Sequence, residues 1–414
     1  MTANPDYSTR AQQQTAHVPD LPAGLALLPV TSIGVIGAGT MGGGIAMNFL
    51  NAGLPVTLVE TSQAALDRGL ATIRRNYENS ARKGRLTTDE VETRMALISP
   101  GLDVQALATV DLVIEAVFED LGIKKELFGK LDTIARPGAI LASNTSYLDL
   151  DAIAAATSRP HDVAGLHFFS PANVMRLLEI VRGKATRPEV LATLIDLAPR
   201  IGKVPVVSRV CHGFIANRVM SVRRTHAERL VLEGPSPAEI DAALRDYGFA
   251  MGQFQVMDLV GLDVLGRGST ERTLRGDLVA LGRLGQKQGG GFYDYDDQRR
   301  ATPSPVAEQV ISRFAADTGV VRSGPMPPER IVARLLYPVV NECARVVEEG
   351  VAVRASDVDV ACVLGYNWPA STGGPLHWAD SIGLGNVVEA LVAMGEEPAD
   401  LLRRAAAGER LTPA

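Results

Sequence analysis

Apolar and polar positions follow two regimes along the chain. Between residue 31 and about 209, short β-branched runs are separated by longer amphipathic stretches. The short runs predict strands at 32–36, 56–60, 112–117, 139–142, 163–168, 178–181 and 204–207, and the stretches 63–82, 124–135 and 188–200 predict helices. A further helix over 42–51 is closed by Gly53, a residue suited to a helix end that needs positive φ. Strands alternating with helices imply parallel pairing in a sheet covered on both faces. After about residue 210 only long helical patterns follow, which puts a domain boundary near Arg209.

The helical half repeats itself. Ile215-Ala-Asn-Arg-Val through Leu232-Glu-Gly234 lines up without a gap on Ile331-Val-Ala-Arg-Leu through Glu348-Glu-Gly350, with Arg218/Arg334, Arg229/Arg345 and Glu233/Glu349 coinciding. Further on, Glu239-Ile-Asp241 is echoed by Asp357-Val-Asp359, and Gly261-Leu262 by Gly383-Leu384. Preserved order over some fifty residues points to a duplication, with a chance likeness of amphipathic helices as the plain alternative. The expected organisation is therefore a flexible leader over 1–29, an α/β Rossmann-type N-terminal domain over 30–209, then two all-α repeat domains. The first repeat covers 210–296 and the second 329–414, with a proline-rich linker carrying one short helix over 297–328.

Composition narrows the function. The 414 residues suit two or three domains, and 46% apolar with 21% charged residues suits a folded chain. A net charge of −6 disfavours non-specific nucleic-acid binding, which needs clustered cations. Three cysteines (Cys211, Cys343, Cys362) form no disulfide framework and point to a reducing, cytoplasmic setting. The stretch 21–59 carries no charge, yet eight glycines and several prolines interrupt it, so no membrane span is expected. The first thirty residues lack the basic start and apolar core of a secretory signal.

Those glycines have an individual reading. Gly37-Ala-Gly39-Thr40-Met41-Gly42 follows a strand and opens a helix, the context in which such a motif binds a dinucleotide. The first glycine permits the tight turn, the second lets backbone approach a pyrophosphate, and the third packs helix on strand. Free N–H groups at the helix start then hold the phosphates. Glu60 ends the next strand, where an acid binds the ribose hydroxyls and repels a 2′-phosphate. No arginine follows at positions 61–63, so NAD is favoured over NADP. An ordinary glycine turn is the plain alternative.

A second constellation falls on the later strands: Ser143-Asn-Thr-Ser146, His167 and Glu179. His167 alone reads as a satisfied core histidine. Glu179 changes that, because a carboxylate among Leu177, Leu178, Ile180 and Val181 needs a partner. A hairpin-like connection over 168–177 would set the two strands side by side and make an imidazole–carboxylate general base. Metal binding competes weakly, since no third ligand stands at metal spacing. Arg82-Lys83-Gly-Arg85 is either a phosphate-binding cluster or a solvated helix end, and Asn217 either a site residue or a helix cap.

Together these residues resemble the L-3-hydroxyacyl-CoA dehydrogenase family, and within it the dehydrogenase half of the multifunctional fatty-acid oxidation enzymes. The resemblance runs from about residue 31 to 395. It rests on Gly37–Gly42, Val113-Ile-Glu-Ala-Val-Phe-Glu119, Ser143–Ser146, Gly165-Leu-His-Phe-Phe-Ser-Pro171, Gly213-Phe-Ile-Ala-Asn-Arg218 and Leu284-Gly-Gln-Lys-Gln-Gly-Gly-Gly-Phe-Tyr293. It implies that His167 is the base, Glu179 its orienting acid, and Ser146 and Asn217 the groups that hold the substrate oxygens. It further implies that Glu119, Lys124 and Lys287 contact NAD and that Lys83 meets the CoA moiety. An NAD-linked hydroxy-acid dehydrogenase without CoA contacts, or a non-catalytic binding relative, are the other readings.

Some positions depart from the family pattern. Ser170 stands where the simplest members carry asparagine and the multifunctional forms also carry serine, which bears on a cofactor contact; 247–253 lacks the usual prolines and 266–281 is short and charged, which puts acyl-chain length in doubt. The leader is too short for a hydratase half, so separate hydratase or thiolase partners are expected. In the second repeat Ala333 replaces Asn217. The resemblance then implies a structural copy that makes the chain a pseudo-dimer, a monomer or weak homodimer.

Overall fold

A computed structural model describes residues 5–266, 271–409 and 411; the leader's first four residues, part of the charged stretch 266–281 and the last few positions lie outside them. Eight strands form one sheet: β1 (Ile33–Ile36), β2 (Val56–Val59), β3 (Ile98–Gly101), β4 (Leu112–Glu115), β5 (Ile140–Ser143), β6 (Val163–Phe168), β7 (Leu177–Arg182) and β8 (Val204–Arg209). Their order is β3-β2-β1-β4-β5-β6-β7-β8. Pairing is parallel except between β6 and β7, which run antiparallel. The order reverses beside β1, and in open α/β sheets a crevice at such a switch point takes the ligand.

The helices of this region are α1 (Pro5–Gln14), α2 (Thr40–Asn51), α3 (Gln63–Arg82), α4 (Thr88–Ala96), α5 (Leu121–Ile134), α6 (Leu150–Ala154) and α7 (Pro188–Arg200). Alternate residues of β4 enter different cores: Leu112 and Ile114 join one apolar cluster, Val113 the other. Two-sided burial explains why these strands read as continuous apolar runs. Among the elements that escaped the sequence pattern are β3 and α4. Strand β3 is an edge strand containing Pro100, the position where proline is tolerated because no neighbour needs its N–H. Helix α4 starts at a capping box between Thr87 and Glu90 and sets only Val91 and Met95 against the core.

The expected flexible leader needs correction, because residues 5–14 form α1. Tyr7, Ala11 and Thr15 are buried at a spacing of four residues, one face of a helix. The Tyr7 hydroxyl donates to Asp359 at 2.6 Å, so a polar composition concealed a docked helix.

The remaining helices are α8 (Ala216–Glu233), α9 (Pro237–Tyr247), α10 (Gln253–Val260), α11 (Leu262–Leu265), α12 (Leu274–Ala280), α13 (Pro305–Asp317), α14 (Pro328–Glu348), α15 (Ala355–Tyr366), α16 (Pro375–Ile382), α17 (Leu384–Ala393) and α18 (Asp400–Ala406). The region is largely helical rather than wholly so, since β9 (Tyr293–Tyr295) and β10 (Ala301–Pro303) make a small ribbon. The duplication is visible in the backbone: Gly261 and Gly383 have φ of 103° and 93° and begin the equivalent helices α11 and α17. By packing, the chain divides into two compact units. One holds the sheet, up to Arg218, together with Val346–Tyr366; the other holds Val219–Arg345 and the chain from Asn367 onward. The second repeat is thus divided, and its α15 belongs with the sheet.

Two buried carboxylates organise the helical unit. Asp241 accepts from the Phe254 and Gln255 amides and from the Tyr293 hydroxyl. Burial pushes its carboxyl up to about 6, against the opposing pull of those hydrogen bonds. Asp258 accepts from the Phe292 and Tyr293 amides. A Cβ on Gly291 would lie 1.9 Å from the Asp258 carboxylate, so the last glycine before Phe292-Tyr293 is the imprint of this carboxylate.

Candidate active site

The turn from β1 into α2 is built as the glycine spacing requires. Gly37 has φ 100°, and a Cβ there would come 2.7 Å from the Ala116 carbonyl oxygen. A Cβ on Gly42 would sit 1.8 Å from the Gly37 carbonyl oxygen, whereas one on Gly39 would meet nothing within 4 Å. The first and third glycines therefore serve packing, and the second leaves open space. Gly39 is also the N-cap of α2 and supplies no side-chain cap, which leaves first-turn amides available to an anion. Thr40 lines the adjoining cleft, whose volume is 490 Å³; Met41 packs against the core.

Glu60 follows β2 directly and reaches the same cleft. One oxygen accepts from the Ala38 amide at 2.9 Å, the other from the Thr61 amide and hydroxyl. Burial raises its pKa, but these hydrogen bonds and the charge of Arg68 outweigh that, and the carboxyl ends below its ordinary value. Arg68 lines the cleft as well. Sequence reasoning stopped at residue 63 and missed it; two turns of amphipathic helix carry this cation back to the acid. The open face at Gly39, the uncapped amides and the acid fit the diphosphate and ribose of a dinucleotide.

At the far ends of β6 and β7, antiparallel register sets His167 opposite Glu179. The ring Nδ1 lies 2.6 Å from Glu179 Oε2, with both side chains buried. Glu179 Oε1 accepts from the backbone amides of Ile215 at 3.0 Å and Ala216 at 2.9 Å, where α8 begins. The carboxylate thus has three N–H donors, two of them at the positive end of a helix. The imidazole donates through Nδ1, which leaves Nε2 as an acceptor. Phe169 packs against it in a tilted contact, 4.4 Å between ring centroids. Lys203, pushed down to about 8 by burial, donates to the Ala172 and Met175 carbonyls and braces the β6–β7 connection.

The Ser143–Ser146 loop is held from below by a second buried carboxylate. Glu115 accepts from Lys124 at 2.6 Å, from the Ser143 hydroxyl at 2.7 Å and from the Val117 amide at 2.8 Å. Lys124 also faces Glu119 at 3.3 Å. Glu119 in turn accepts from the Thr145 hydroxyl and the Ser146 and Tyr147 amides. Burial would raise the Glu119 pKa, but these donors and Lys124 bring it below its ordinary value. Asn144 accepts from the Phe168 amide, tying the loop to β6. The Ser146 hydroxyl has no hydrogen bond among the described residues.

Asn217, in the first turn of α8, donates from Nδ2 to the Ser146 carbonyl at 3.4 Å and accepts at Oδ1 from the Tyr366 hydroxyl. His167, Glu179, Ser146 and Asn217 are therefore joined through Glu179 and the α8 start. Lys83 is the exposed C-cap of α3. Lys287 lies in the helical unit, its ammonium 2.6 Å from Asp263. Lys124 is 1% exposed and ends between two carboxylates. Glu115 and Tyr366 had no part in the sequence reading. Glu115 carries the same signal as Glu179, an acid inside an apolar run; Tyr366 carries none. No cluster able to hold a metal occurs among the described residues, and no described helix is long and apolar enough to cross a membrane.

A mostly parallel sheet with an open glycine turn and an acid after the second strand define a dinucleotide-binding fold, and a buried histidine–glutamate pair lies on its later strands. The comparisons make this specific. Residues 32–211 match the NAD binding domain of 3-hydroxyacyl-CoA dehydrogenase, and residues 213–295 and 331–412 match its C-terminal domain. The peroxisomal bifunctional enzyme of Cavia porcellus is 39% identical over 91% of this chain and 55% of its own length. Among solved structures, 3-hydroxybutyryl-CoA dehydrogenase from Escherichia coli K12 is 31% identical with a TM-score of 0.79, covering 92% of this chain and 99% of its own. The dehydrogenase part of multifunctional enzyme 1 from C. elegans is 32% identical with a TM-score of 0.70, over 98% and 97%. The chain belongs to the 3-hydroxyacyl-CoA dehydrogenase family. It spans about half the length of the curated relatives it matches.

Proposed function

We propose that the chain oxidises L-3-hydroxyacyl-CoA reversibly to 3-oxoacyl-CoA, with His167 and Glu179 as its base. The observation that carries this reading is the buried pair itself, whose carboxylate is satisfied on one side by His167 and on the other by the α8 amides. NAD, when bound, supplies the hydride acceptor. The 3-hydroxyl proton passes to His167 Nε2 as the C3–H electron pair leaves as hydride, and Glu179 stabilises the resulting imidazolium. Ser146 and Asn217 orient the oxygen at C3. Gly37, Gly39, Thr40, Met41 and Gly42 form the diphosphate turn, and Glu60 takes the ribose and selects against a 2′-phosphate. Glu119 and Lys124 are assigned to NAD on the family resemblance, the buried Lys124 acting through Glu119, which it faces at 3.3 Å. Lys287 is assigned to NAD and Lys83 to the CoA nucleotide on the family resemblance.

The duplicated helices are proposed to make an internal pseudo-dimer. Arg218 pairs with Glu349 at 2.6 Å, and Arg334 with Glu233 at 2.6 Å. These are the residues that coincide in the repeat, each copy's arginine meeting the other's glutamate, the reciprocity expected of a two-fold contact. A monomer or weak homodimer follows, supplied by hydratase or thiolase partners. Free cysteines support a reducing compartment such as the cytoplasm, whereas several relatives bear peroxisomal names.

The test is turnover with NADH of acetoacetyl-CoA against free acetoacetate, for the native chain and His167→Gln. Preference for the thioester is expected, with a fall of roughly a thousand-fold in the variant and NADH binding retained. Equal rates on free acetoacetate would remove CoA from the proposal, and undiminished turnover in His167→Gln would remove the base.

A further inference from the structure

We infer that Tyr366, at the end of α15 in the second repeat, is a positioning residue for the active site, acting through Asn217. The inference rests on the proposed dehydrogenase reading and assigns a role to a copy that lacks the asparagine of the first.

The Asn217 amide has two neighbours. One is the Ser146 carbonyl, which can only accept; the other is the Tyr366 hydroxyl, which can donate or accept. Turning the amide over would set its oxygen against the carbonyl oxygen. Only one orientation satisfies both neighbours, with Nδ2 toward Ser146 and Oδ1 receiving the Tyr366 proton. One Nδ2 hydrogen is then engaged and the second is left to donate outward. That donor is what a developing alkoxide or a 3-oxo group needs, and its direction is fixed before substrate arrives.

Tyr366 is itself held in place. Its ring meets Phe169 edge-on at 6.0 Å, and Phe169 packs on His167 in a tilted contact. The preceding residue, Gly365, lies so near the sheet that a Cβ would come 2.8 Å from Leu177 Cδ2. At the other end of the 346–366 segment, Glu349 forms two hydrogen bonds with Arg218, the residue after Asn217. The second repeat thus grips the start of α8 at consecutive positions, by a hydroxyl and by a carboxylate.

The test uses the full chain with Tyr366→Phe, which removes the hydroxyl and keeps the ring on Phe169; Tyr366→Met replaces it if that variant does not fold. With acetoacetyl-CoA the expected result is a fall in kcat of roughly ten-fold, within the range for coupled neighbours, and an unchanged KM for NADH. In an Asn217→Ala background the same change is expected to cost less than about two-fold, since the residue through which Tyr366 acts is gone. An equal fall in both backgrounds, or none in the native background, would overturn the inference. A second readout is independent of turnover: with asparagine 15N-labelled, the Asn217 side-chain amide pair, identified by its loss in Asn217→Ala, shifts on Tyr366→Phe. An unmoved pair would overturn the inference as well. If the native chain turned over no acyl-CoA, the dehydrogenase reading would fall while the amide signal still decided the link.

Discussion

Glu115 and Glu179 face the same physical problem and solve it to opposite ends. Both sit on strands of one sheet, both are wholly buried, and each takes three donors. The principal partner of Glu115 is an ammonium whose charge is spent entirely within the fold, between Glu115 and Glu119. The principal partner of Glu179 is a ring with a second nitrogen, so satisfying the acid leaves a proton acceptor over. Burial of an acid therefore does not announce chemistry by itself. What distinguishes a strut from a site is whether the partner retains an unused group.

That contrast can be broken at either end. The largest effect is expected from Lys124→Met, which strands Glu115 without its cation. Removing one member of a buried pair costs about 3–5 kcal/mol, to be read as a lowered urea midpoint. Adding Glu115→Gln is expected to restore part of the loss. No change in the midpoint would mean that the lysine is dispensable to the fold.

Glu179→Gln is expected to leave stability nearer to native while kcat falls roughly a hundred-fold, about 2.7 kcal/mol of barrier. The glutamine cannot favour the tautomer with Nε2 free. Comparable losses of stability and rate in both variants would erase the distinction drawn above.

The smallest effect concerns Glu60, the partly exposed counterpart of the two. Its pKa is lowered on folding from 4.5. Its stabilisation is thus complete above about 4.5 and is lost as pH falls through the lower folded-state value. In Glu60→Gln the unfolding midpoint is expected to depend less on pH in that acid window. An identical profile would mean that hydrogen bonds from Ala38 and Thr61 do not favour the charged form.

The same contrast shows where the sequence was legible. The strand β6 and the helices α3 and α7 fall where the apolar pattern puts them, because two-sided burial and amphipathic faces write themselves into local order. The His167–Glu179 pair was readable because an acid among Leu and Ile demands a partner and a nearby strand offered one. Glu115 made the same demand, yet attention to Glu119 in the same motif obscured it. Other features were not local at all. The Tyr7 hydroxyl of α1 is satisfied by Asp359, and the Asn217 amide oxygen by Tyr366, partners 352 and 149 residues away. No window of neighbouring residues encodes such a contact.

The reciprocal pairs Arg218–Glu349 and Arg334–Glu233 carry an evolutionary consequence. Two identical chains must accept every substitution in duplicate, so a change that helps one face and harms its twin is forbidden. Copies fused in tandem escape that rule. On the reading proposed above, one copy can keep the asparagine that orients substrate while the other carries alanine there and contributes a tyrosine elsewhere, an asymmetry that a gene expressed as matched halves could not have explored.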